Sequence, residues 1–374
     1  PPEGGTPMRL FPCPRCRHVL YFDNDICVNC GAELVFVRSR HAMAALVEGV
    51  WRDEDGTTWR RCRNHDLGCT WACTGTPDLC DACLLVRSVP DLGDETVRGY
   101  LRDTGSAVRR LVYQLDDLGL PIVSHRDKPD GGLAFDLDAS TDDKKVMIGH
   151  LNGVITIDIT EAQDSHREAL RALLDEQYRT MLGHFRHEIG HYYWQALVFP
   201  DEDLLAGFRR IFGDERQDYG AALDAHHGGA GGGASWQESH ISQYATTHPW
   251  EDFAETFAHF LHITDTLQSA AAHGIQMPSL PGQWPQEVTA AMVSLPRIDP
   301  LADTDMGAIL RRWMPLAAAL NEVNRSMGKR DLYPFTIPDG VVTKLGYVLA
   351  LVRACTSSAQ GGGPTRAEPT SSDS

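Results

Sequence analysis

The chain has 374 residues, 42% of them hydrophobic and 23% charged, which supplies one sizeable core with small appended modules. A formal charge of −17 repels phosphate backbones, so nucleic-acid binding is not expected. No apolar run approaches the ~20 residues that a membrane helix needs, which excludes a helical membrane protein from the expectation.

Nine of the ten cysteines lie before residue 84. The first four read Cys13-Pro-Arg-Cys16 and Cys27-Val-Asn-Cys30, two C-x2-C knuckles whose thiolates can close around one structural zinc. Two-residue spacings make poor disulfide loops, so reduced, metal-bound thiols are expected. With them goes a cytoplasmic location, since no charged and apolar export segment opens the chain. A start at Pro1 is expected to omit the true beginning.

Cys62, His65, Cys69, Cys73, Cys80 and Cys83 form the next group, more donors than a second tetrahedral site can use. Cys80-Asp-Ala-Cys83 is a clear knuckle. Its partner is open between Cys62 with Cys69 and Cys69 with Cys73, and His65 is also available. Cys355 reads as a small buried hydrophobe. Residues 1–90 hold 10 basic and 11 acidic side chains, so nearly all the negative charge belongs to residues 91–374.

Residues 84–92 read as a linker, followed by a helix over 96–118. Apolar runs at 146–150 and 154–159 flank Leu151-Asn152-Gly153, and Asn-Gly between such runs signals a hairpin.

The most informative segment is His187-Glu188-Ile189-Gly190-His191, within a helical pattern carried by Met181, Leu182, Phe185, Ile189, Tyr192 and Tyr193 and ended by Pro200. Residues four apart on a helix share a face, so His187 and His191 can aim both imidazoles at one zinc. Glu188 beside them is placed to act on a water rather than on the metal, as a general base. Gly190 inside a helix costs about 1 kcal/mol against Ala, which implies that something packs closely there. His184 shares the face and reads as a supporting or packing histidine.

His226-His-Gly-Gly-Ala-Gly-Gly-Gly-Ala-Ser235 reads as a flexible loop, with a lid over the cleft as the other possibility. A second helix is expected to open at Thr246-Thr-His-Pro249, threonines at the cap and Pro249 in the first turn. Glu251 and Glu255 share one face of it while Phe253, Phe257, Phe260 and Leu261 form the buried stripe. A catalytic zinc needs three protein ligands and an open position, so Glu251 is the expected third ligand and Glu255 the carboxylate that orients a ligand histidine. The competing reading makes both acids solvated residues favoured by the helix dipole. Helices over 305–327 and 339–352 complete the core. The organisation is thus residues 1–45 and 46–90 as two small modules, 91–355 as the main domain, and 356–374, rich in Ser, Gly, Pro and Thr, as a disordered tail.

HExxH followed by Glu-x-x-x-Glu on a second helix resembles the gluzincin group of metallopeptidases. The string Glu251-Asp-Phe-Ala-Glu255-Thr-Phe257 is similar to the corresponding helix of the anthrax lethal factor peptidase domain. In that family a tyrosine seven residues before the ligand glutamate stabilises the oxyanion. Tyr244 stands at that spacing, with His240 as its substitute. A wider resemblance, over almost the whole chain, is to the bacterial zinc-binding metallopeptidase family with an N-terminal zinc ribbon. It rests on Gly183–Trp194, Pro249–Glu255, Asn321-Glu-Val-Asn-Arg-Ser-Met-Gly328 and Asp331-Leu-Tyr-Pro-Phe335. The resemblance implies an α+β chain: a mainly helical zincin-like metallopeptidase domain with a small antiparallel sheet, preceded by two zinc ribbons. It favours Cys62, Cys69, Cys80 and Cys83 as the second structural ligand set, leaving Cys73 spare. It also implies a hairpin strand at the cleft edge, where an extended substrate can add its backbone.

The expected function is zinc-dependent hydrolysis of a peptide or amide bond, with one catalytic and two structural zincs. Glu188 would move the proton, Tyr244 would hold the oxyanion, and the ribbons would recruit a protein substrate or partner. The rival is a non-catalytic regulatory or interaction protein on the same scaffold, which has no need of Glu188.

Overall fold

The computed structural model describes residues 10–141, 143–162, 180–225, 236–275 and 303–361. The glycine-rich segment 226–235 and residues 362–374 of the expected tail lie outside them.

Each knuckle of the first ribbon is a tight turn closed by a residue of positive φ. Arg17 (φ 65°) donates its N–H to Cys13 O at 2.9 Å, and Gly31 (φ 68°) donates to Cys27 O at 2.8 Å. Strands β1 (Phe11–Pro12) and β2 (Val19–Leu20) pair across the first knuckle, and β3 (Leu34–Val37) and β4 (Ala42–Ala45) form a second antiparallel pair. The second ribbon is a three-stranded antiparallel sheet of β5 (Val50–Arg52), β6 (Thr58–Arg61) and β7 (Ala72–Cys73), followed by the short helix α1 (Asp81–Leu84).

The two ribbons share one core. Phe36 on β3 donates its N–H to Thr70 O at 2.9 Å, and its ring lies 5.2 Å from those of Trp71 and Phe22. That aromatic cluster continues onto Tyr113 of helix α2 (Glu95–Asp117), 5.0 Å from Phe22 and 5.6 Å from Phe36. Charged groups fasten the same junction. Arg38 forks both oxygens of Asp116 at 2.7 Å each, Arg109 donates to Gly68 O at 2.8 Å, and Arg110 pairs with Asp23.

Residues 86–88, expected in a linker, form strand β8 (Val86–Ser88), which joins the sheet of the main domain. That sheet also holds β9 (Ala134–Asp138), β10 (Gly149–Leu151) and β11 (Val154–Asp158), in the order β10-β11-β9-β8. The hairpin β10–β11 is antiparallel, with Asn152 (φ 48°) and Gly153 (φ 85°) at its turn, whereas β11–β9 and β9–β8 are parallel. Gly153 is obligatory there, because a Cβ would sit 2.4 Å from Gly132 O.

Helices build the rest: α3 (Met181–Tyr193), α4 (Glu202–Ile211), α5 (Tyr219–Ala225), α6 (Pro249–Ala272), α7 (Met306–Ser326) and α8 (Asp339–Gly361). The last continues past residue 355, where the sequence suggested an end to the fold. No helix among the described residues is long and apolar enough to cross a membrane.

Candidate metal centre

The centre lies where α3 crosses α6. Thr180 caps α3, its hydroxyl accepting the Gly183 N–H at 2.9 Å, and the helix widens into a π-helical turn over Trp194–Val198 before Pro200. The N-cap of α6 is His248 rather than the expected threonines. A residue before proline is driven to extended backbone, and His248 (φ −155°, ψ 147°) uses its Nδ1 to accept the Trp250 N–H at 3.1 Å. Gly190 faces Ala254, where a Cβ would meet the Ala254 Cα at 2.9 Å. This absence of a side chain lets the two backbones approach closely enough for α3 and α6 to share one site.

Three donor atoms converge there. His187 Nε2 lies 3.0 Å from Glu251 Oε2 and 3.1 Å from His191 Nε2, and His191 Nε2 lies 3.3 Å from the same oxygen. Nitrogen and oxygen ligands of one tetrahedral zinc stand roughly 3.3 Å apart, so the spacing fits a shared ion. The chemistry fits as well. His187 Nδ1 lies 2.8 Å from Glu255 Oε1, and an ionised carboxylate only accepts, so that nitrogen carries a proton and Nε2 is the nitrogen left to ligate a metal, which would displace any proton there. Burial opposes charge on His187, but Glu251 and Glu255 outweigh it and hold its pKa well above the usual histidine range. Burial likewise opposes charge on Glu251, and His191 and His187 overcome it, pulling that pKa well down. The surroundings thus favour positive charge at the point of convergence.

Glu188 stands beside this set, only 7% exposed, and its Oε2 has no hydrogen-bond partner among the described residues. Tyr244 lines the site with its ring 5.9 Å from that of His187, and burial raises its pKa, which keeps the phenol protonated as a donor. Trp250 covers His191 at 3.8 Å between rings. Ser242, a residue that spacing did not single out, donates to Glu255 Oε2 at 2.6 Å. Tyr219 was missed too: its hydroxyl donates to Glu251 Oε1 at 2.7 Å. His240 engages other partners, with Nδ1 2.9 Å from Ser239 Oγ and Nε2 3.6 Å from Asp252. His184 also turns away, its Nδ1 2.8 Å from Glu161. The edge strand β10 runs alongside, with the His150 ring 6.4 Å from that of Trp250.

The cysteines gather into two clusters, Cys13, Cys16, Cys27 and Cys30, and Cys62, Cys69, Cys80 and Cys83. Sulfur separations of 3.7 Å for Cys13–Cys30 and Cys16–Cys27, 3.6 Å for Cys69–Cys80 and 3.8 Å for Cys69–Cys83 far exceed the ~2.05 Å of a disulfide. They match the roughly 3.8 Å between thiolates of one tetrahedral zinc. Cys73 stays outside the second cluster, its thiol 3.5 Å from Arg61 O. His65 Nδ1 instead lies 3.3 Å from Cys69 O.

Zinc ribbons leading into a helical domain with a His-His-Glu convergence define the class of zinc-binding metallopeptidases. A family described as "putative zinc-binding metallo-peptidase" matches residues 99–351, and a zinc-ribbon domain matches residues 10–94. The chain belongs to that metallopeptidase family. Uncharacterized proteins of Mycobacterium bovis and of two Mycobacterium tuberculosis strains are each 42% identical to it over 349 residues, covering 92% of this chain and 95% of theirs. No solved structure matches it.

Proposed function

We propose that the chain is a zinc-dependent peptidase that hydrolyses a peptide or amide bond in a protein substrate. His187, His191 and Glu251 hold the catalytic metal, and the two four-cysteine clusters hold structural zincs. Bound by His187, His191 and Glu251, zinc would supply Lewis acidity to polarise the carbonyl and to make water a nucleophile near neutral pH. Glu188 takes the proton of the attacking water and passes it to the leaving nitrogen. Tyr244 donates to the charge that develops on the carbonyl oxygen. Glu255 keeps His187 in the tautomer that ligates. Strand β10, at the edge of the sheet among the described residues, offers its outer backbone groups to an extended substrate, and the ribbons present a protein substrate or partner to the body.

The observation that carries this reading is Glu188. A carboxylate oxygen buried without a partner among the described residues, beside two converging imidazoles, is expensive in a purely structural role and is what a proton acceptor requires. The test is cleavage of a proteome-derived peptide library. Glu188→Gln should keep its zinc content while turnover falls roughly 10²–10⁴-fold. Cleavage at the wild-type rate by that variant overturns the mechanism.

A further inference from the structure

We propose that Tyr219 is a positioning residue that fixes Glu251 as a one-oxygen ligand. The inference rests on the reading of His187, His191 and Glu251 as a metal centre. A carboxylate can offer a metal one oxygen or two, and the second mode fills the position that a catalytic site must leave open. The two oxygens of Glu251 are already differentiated. Oε2 faces His187 Nε2 at 3.0 Å and His191 Nε2 at 3.3 Å, while Oε1 accepts the Tyr219 hydroxyl at 2.7 Å. Glu251 is 1% exposed, so solvent is poorly placed to replace a lost donor at Oε1.

The phenol is itself held in place. Its ring packs edge-on against His248 at 5.4 Å and Trp250 at 5.7 Å, and Trp250 lies over His191. Tyr244 neighbours the same phenol. The Tyr219 hydroxyl therefore holds the third ligand from the side of the proposed oxyanion donor, and an aromatic stack joins it to the second ligand. Tyr219 lies on α5, an element separate from both metal-binding helices, so the centre is assembled from three helices rather than two.

The full-length protein, loaded with zinc, is titrated with a chelator of known affinity, the two four-cysteine clusters serving as an internal reference. Tyr219→Phe, which keeps the ring, should weaken zinc binding at the His187–His191–Glu251 site, the third zinc site of the chain, by roughly 10–100-fold and leave the other two zincs in place. Tyr219→Ala should weaken it to a similar extent. Third-site affinity within twofold of wild type in Tyr219→Phe overturns the proposal, and so does a loss confined to Tyr219→Ala, which would assign the effect to packing. A wild-type chain that takes up only two zincs overturns the metal centre itself, a failure distinct from equal affinities in wild type and variant.

Discussion

Glu255 Oε1 sits 2.8 Å from His187 Nδ1, on the side of the ring opposite the nitrogen that faces Glu251 and His191. Its other oxygen is occupied by Ser242, so the carboxylate has little freedom to turn away. Glu255→Gln should therefore keep the fold and weaken zinc at the His-His-Glu centre by roughly 10–100-fold, because an amide can present the wrong atom to Nδ1. Metal-buffered titration reads this directly; unchanged affinity would show that His187 needs no orienting partner.

The cysteine clusters predict the metal count. Elemental analysis of the purified chain should give three zincs, Glu251→Ala should give two, and Cys73→Ser should still give three. Cys83→Ser should lose the second ribbon metal and, because the ribbons share a core with α2, lower the melting temperature of the whole chain in a single transition. A separate early transition, with the body melting as before, would contradict that coupling.

Gly190→Ala sets two effects of opposite sign against each other. Helix propensity favours alanine by about 1 kcal/mol, but the added Cβ would meet backbone, the Ala254 Cα at 2.9 Å and its carbonyl oxygen at 3.2 Å. Backbone yields poorly, and overpacking of this kind typically destabilises by about 1–3 kcal/mol. The variant should therefore be less stable in urea, with third-site zinc binding weakened as α3 and α6 separate. A gain in stability would mean that the crossing is looser than these distances imply.

What the sequence made legible was local. Two imidazoles one helical turn apart, a carboxylate beside them and two-residue cysteine knuckles are patterns that short-range geometry dictates, and they assemble in space at the positions that spacing implies. The reading weakened where a contact depends on which distant element arrives. His184 shares the stripe of His187, but three residues earlier means about 4.5 Å nearer the helix start, where Glu161 rather than Glu251 stands. Tyr219 reaches Glu251 from 32 residues away, and no periodicity signals such a meeting. Strand β8 is three residues long beside Pro90, so it resembled a connector, and only its parallel partner β9 makes it a strand. The choice among Cys62, Cys69 and Cys73 was open because Cys69 and Cys73 have plausible knuckle spacing, yet β7 pairing turns the Cys73 thiol toward the carbonyls of Arg60 and Arg61.

Strand β8 leaves the second cysteine cluster and closes one margin of the main sheet, with Leu85 O accepting the Phe135 N–H at 2.8 Å. A fragment trimmed to begin at residue 91 would bare that margin and strip Tyr113 of its aromatic cover. Such a fragment should self-associate through its raw flank rather than behave as a free-standing domain. The cysteine-rich portion is in that sense a wall of the building, and dissecting this protein into free-standing parts cuts through masonry rather than along a seam.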